Sequence, residues 1–99
     1  MGYPGTIMVR MRPEAIHHLL RTRAARGLDE TTGARFLRGS AGIGFRFAGP
    51  GLGDRVITDF ELPIYVAEEV VPILGRAVID EKEEEGRSRL VIRSRRDPE

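Results

Sequence analysis

Between Glu14 and Gly27 the apolar residues Ile16, Leu19, Leu20 and Ala24 recur every three or four positions. That spacing gathers them on one side of an α-helix. Pro13 stands near the first helical position and Glu14 in the first turn, both favourable at a helix start. Arg21, Arg23 and Arg26 lie towards its end, where they complement the helix dipole, and Gly27 supplies the stop. Elsewhere the period shortens to two, the signature of strands with one buried face. Ala34–Gly39 sets Phe36 on one face and Arg35 and Leu37 on the other, and Ile43, Phe45 and Phe47 alternate in the same way. Thr6–Met11, Arg55–Phe60, Leu62–Val66, Arg76–Asp80 and Arg87–Arg93 complete the expected strands. In the last of these, Leu90 and Ile92 share one face. Pro63 suits a strand start or a sheet edge.

Ala67–Gly75 predicts a short helix, limited by Pro72 and closed by Gly75. Residues 81–86, EKEEEG, predict a solvated acidic turn, and 94–99, SRRDPE, a mobile tail. No repeat or linker divides the chain, so residues 1–99 are expected to form one domain. A strand, a helix and then many short strands argue for a β-rich α+β fold rather than a doubly wound one.

Composition narrows the functional classes. The chain has 99 residues, 40% of them hydrophobic, enough for a modest core. Charged residues make up 31%, yet the net charge is only +1, which argues against nucleic acid as the partner. No apolar run approaches the roughly 20 residues of a membrane span. The first residues, MGYPGTIMVRMRP, do not have the form of a signal peptide, so a cytoplasmic location is expected. A myristoylation pattern at Gly2 is formally present, but nothing basic and helical follows it directly. Cysteine is absent, which removes disulfides, thiolate nucleophiles and thiolate metal sites from these residues.

Six of the twelve glycines fall within Gly39–Asp54, GSAGIGFRFAGPGLGD. Gly42 and Gly44 form a G-x-G, but neither a third spaced glycine nor a long helix follows, and a phosphate site needs that helix N-terminus. A turn or a close approach of backbone is the better reading. His17 and His18 are the only histidines. Adjacent helical positions point about 100° apart, so the pair cannot chelate one ion, and a solvent-exposed histidine beside the apolar stripe is expected instead. Ser40, Ser88 and Ser94 have no histidine in a context that suggests a paired base. The carboxylates of Asp80–Glu85 lack the spacing and central glycine of a calcium loop. No catalytic or metal residue is assigned, no cofactor is expected and an enzyme is not expected. Arg87, Arg89 and Arg93 share one strand face, which reads first as the polar face of an edge strand and is the candidate interaction surface for an acidic protein partner. No aromatic interleaves with them to stack bases.

Taken in order, these segments resemble the HesB/IscA-like family, the A-type iron–sulfur cluster biosynthesis proteins. The resemblance lies in IMVRMRPEAIHHLL for the opening strand and helix and in AGIGFRF (Ala41–Phe47) for the glycine-rich segment. GDRV (Gly53–Val56), IYV (Ile64–Val66) and ILGRAVID (Ile73–Asp80) follow in the family's order. It covers nearly the whole chain. It implies a sandwich or barrel of short strands with one main packed helix and one short helix, and association into homo-oligomers. Members that carry iron or a cluster have a cysteine in the glycine-rich segment and a C-G-C pair near the C-terminus. Here Gly42 occupies the first position and SRRDPE stands at the end. The resemblance therefore implies a non-catalytic relative whose partner is the iron–sulfur assembly machinery. The alternative is an interaction module of another process that keeps only the fold.

Overall fold

The computed structural model describes residues 9–94. Strand β1 (Arg10–Met11) leads into helix α1 (Pro13–Ala25). The Arg12 side chain does not cap the helix; its backbone N–H instead donates to Ile79 O at 2.9 Å and ties the helix start to the sheet. At the other end Gly27 N donates to Ala24 O and Leu28 N to Arg23 O, the paired bonds of a Schellman stop. Ala15, Ile16 and Leu19 are buried and Leu20 is half-buried. Ala24, expected in the buried stripe, is exposed.

Next come β2 (Gly33–Gly39), β3 (Gly42–Ala48), β4 (Arg55–Ile57) and β5 (Ile64–Val66). A 3-10 turn (Glu68–Val70) and helix α2 (Val71–Leu74) follow, then β6 (Ala77–Glu84) and β7 (Arg87–Ser94). One sheet has the order β1-β6-β7 and the other β3-β2-β5-β4. Each is mixed, with β1 parallel to β6 and β2 parallel to β5. The architecture is β-rich α+β, as expected, but the two sheets do not close into a barrel.

Strand β4 stops at Ile57, short of the expected Phe60. Its register pairs Ile57 with Ile64, so Thr58 would face Pro63, which has no N–H to donate. β6 runs the other way, past Asp80 to Glu84, and absorbs most of the expected acidic turn. Arginines on β7 lie beside those carboxylates, with Arg89 Nε 3.4 Å from Glu84 and Arg93 Nε 3.5 Å from Asp80. The reversal is only Glu85–Gly86, with φ of 51° and 78°. Two positive φ values in a two-residue loop match the twist of the flanking strands. Ser94, assigned to the tail by sequence, pairs with Ala77; residues 95–99 and Thr6–Met8 of the expected first strand lie outside the described residues.

The core lies between the sheets and under α1. Leu19, Phe36, Leu62, Ile64, Leu74 and Ile79 are fully buried within one continuous cluster. Phe36 and Phe45 are cross-strand partners with ring centroids 5.7 Å apart, and Phe45 meets Phe47 edge-on at 5.5 Å. Such aromatic pairs add to the burial of their area. No helix among the described residues is long and apolar enough to cross a membrane.

Candidate functional site

The glycine-rich segment holds two structures with different roles. The first is the β2–β3 hairpin, in which Gly39 pairs with Gly42 across Ser40 and Ala41. Gly42 has φ of +121°, a backbone that side-chain-bearing residues rarely adopt. The position matched to the family's first cysteine is therefore shaped here for glycine.

The second is the loop after β3. The Asp54 side chain is 1% exposed. It accepts hydrogen bonds from Arg35 Nε at 2.8 Å and Nη2 at 3.1 Å, and from the Gly51 backbone N–H at 2.7 Å. The bidentate bond from Arg35 holds the Asp54 carboxyl below its ordinary range; burial opposes this, and the Gly51 N–H adds to the lowering. A Cβ on Gly51 would lie 2.5 Å from Arg35 Nη2. What the backbone approaches closely here is thus a guanidinium of the same chain. The GDRV motif has a structural use, with Asp54 as the pin of the loop.

His17 is exposed, as expected. His18 departs from that expectation. Its side chain is 13% exposed, and Nδ1 lies 3.1 Å from Glu81 Oε2 and 3.2 Å from Ser88 Oγ. Arg21 Nη2 donates to the same Glu81 oxygen at 3.1 Å. Burial raises the Glu81 carboxyl, but hydrogen bonds from Ser88 and His18 and the charge of Arg21 outweigh it and lower the group overall. The cluster brings together a serine, a histidine and a carboxylate, but not as a nucleophilic relay. That chemistry needs the acid and the serine on opposite ring nitrogens, whereas here both meet Nδ1. The cluster instead fastens α1 to β6 and β7. Sequence missed it because Glu81 was placed in a turn; as a strand residue it shares a face with Ile79, towards the helix.

Beside this cluster a groove of about 720 Å³ opens between α1, β3 and β7. Phe36, Ile43, Phe45, Leu90 and Ile92 make its apolar floor, and His18, Arg26 and Arg89 contribute its basic groups. Arg26 also stacks over Phe47, 5.5 Å from the ring centroid. Among the described residues no carboxylate lines the groove. Of the arginines singled out in sequence, Arg87, Arg89 and Arg93 all lie on β7 and are exposed. Arg89 and Arg93 touch β6 carboxylates only through solvent-exposed pairs, which hold side chains weakly.

The donor set does not fit an iron–sulfur cluster. Clusters are held mainly by thiolates, and these 99 residues have none. Among the described residues no three His, Cys, Asp or Glu side chains converge as metal ligands. Gly42 carries no donor, and His18 and Glu81 are committed to each other.

No protein-family model matches the sequence, and no curated protein matches it. Solved structures do. A protein from Aquifex aeolicus, determined by solution NMR, superposes with a TM-score of 0.72 at 14% identity, covering 99% of both chains. The crystal structure of IscA with a [2Fe-2S] cluster superposes with a TM-score of 0.61 at 20% identity, covering 88% of this chain and 85% of that one. At these identities the likeness is one of fold, and the chain has an IscA-like fold.

Proposed function

We propose that this protein serves iron–sulfur cluster assembly by contact with other proteins and does not hold a cluster itself. The observation that carries this reading is an IscA-like fold built from a sequence without a thiolate. On this reading the protein is cytoplasmic, is not an enzyme and associates with copies of itself. Its small core and the sheet edges left open among the described residues favour association. The contact surface is the exposed arginine row Arg87, Arg89 and Arg93, which suits an acidic partner.

Anaerobic affinity purification of the tagged protein from its own source, with mass spectrometry of what accompanies it, tests the proposal. The expected companions are a cysteine desulfurase, a scaffold protein or cluster-receiving apoproteins. A reproducible set of partners from another process would overturn the link to cluster assembly and favour a module that keeps only the fold. Reconstitution with iron and sulfide is expected to leave the purified protein without a cluster spectrum; a stable cluster would refute the contact-only role.

A further inference from the structure

We propose that the groove beside β7 receives an extended segment of another protein, added as a fourth strand to the free edge of β7. The segment's residues alternate between apolar and acidic. This deepens the contact role proposed above by naming how the contact is made.

The lining of the groove points to the edge itself. Arg89, Leu90, Val91 and Ile92 all border it, although successive residues of a strand point to opposite faces. A run of four consecutive residues brings the groove along the backbone of β7. Among the described residues that edge has no partner, because β7 is the last strand of its sheet, and unpaired N–H and C=O groups invite another strand.

The faces of β7 then dictate the occupant's pattern. On the inner face Leu90 and Ile92 stand opposite Ile43 and Phe45 across the groove. Every second side chain of an added strand would enter this apolar space. On the outer face the intervening side chains would lie beside Arg87, Arg89 and Arg93. There Lys82 adds a further cation, and Asp80 and Glu84 are the carboxylates. The surplus is positive, and Arg26 adds to it at the helix end of the groove. Acidic side chains at the alternate positions complement it.

The same alternation disfavours a second copy of this chain as the occupant. Pairing β7 with β7 in any register that keeps Leu90 and Ile92 inward sets one arginine row beside another. Like charges in neighbouring strands are destabilising.

The test uses the full-length protein and an eight-residue peptide, the length of β7, of alternating valine and glutamate. Its comparators are a scrambled isomer, an alternating valine–lysine peptide, and two versions N-methylated at the valines or at the glutamates. Binding is followed by fluorescence polarisation and by amide exchange. The alternating acidic peptide is expected to bind and to slow exchange in β7, and one of the two N-methylated versions to lose binding. R89E and R93E, at exposed positions, are each expected to weaken binding roughly five- to tenfold while leaving the circular dichroism unchanged. Equal binding of the scrambled peptide, retention by both N-methylated versions, or no binding would overturn strand addition. A β7-mediated homodimer that excludes the peptide would assign the edge to a second copy. Amide shifts produced by decanoate at Ile43 and Phe45, with none from any peptide, would assign the groove to a small amphiphile. These outcomes concern the docking chemistry alone; the process the partner belongs to is decided separately by the purification.

Discussion

Replacing Asp54 with asparagine tests whether the loop after β3 is pinned by charge. The variant keeps the shape of the side chain and an oxygen to accept the Gly51 N–H. It loses the charge that receives the two bonds from Arg35, at 2.8 and 3.1 Å. A hydrogen bond to a charged group contributes about 1.5–3 kcal/mol, and removing one partner of a fully buried pair costs about 3–5 kcal/mol. Arg35 retains some contact with water, its side chain being 19% exposed, so the lower range applies. A loss of about 2 kcal/mol corresponds to a fall in Tm of about 10 °C for a domain of this size. The pH dependence gives a second readout. Asp54 titrates below its ordinary 3.8 in the folded protein. The unfolded chain therefore takes up this proton first as pH falls. The stabilisation is complete above the ordinary value and is lost as pH drops through the folded one. Thermal melts followed by circular dichroism at pH 7 and in strong acid should show the wild-type advantage shrinking in acid. A neutral-pH difference below about 2 °C, less than about 0.5 kcal/mol, would refute the pinning argument. So would a difference that does not change with pH.

E85N is expected to raise stability by about 0.5–1 kcal/mol in urea denaturation, because asparagine tolerates the positive φ that glutamate occupies in the β6–β7 loop. F36A, which removes a fully buried ring from the centre of the core, should lower stability by about 3–5 kcal/mol in the same assay. G51A should lower Tm in the wild-type background and have less effect in an R35A background, since the three atoms nearest the added methyl all belong to the Arg35 guanidinium; equal effects in both would place the strain elsewhere.

How much of the fold is legible in the sequence depends on the range of the forces involved. Helix α1 was legible because its start at Pro13, its stripe through Ile16 and Leu19 and its stop at Gly27 are encoded within a few residues of one another. β2, β3 and β7 were legible because alternation reports which face is buried, whatever covers it. The acidic segment was misread because charge density favours solvent locally, and only β7 alongside makes it a strand. His18 was misread for the same reason, since its partners are 63 and 70 residues away. β4 was drawn too long because the residue that ends it, Pro63, is a cross-strand neighbour rather than a sequence neighbour.

The β-rich α+β class, the main helix, the buried faces of most strands and the missing thiolates are all written in the order and composition of the residues. Each of these depends on local periodicity, local backbone preference or composition. The tertiary structure alone decided that Asp54 is the pin of the glycine-rich loop and that His18 meets Glu81 and Ser88. It also decided that β3, β7 and α1 enclose a groove with a basic rim. Those features are contacts between elements distant in the chain, and their geometry is fixed only when the sheets and the helix pack around one core.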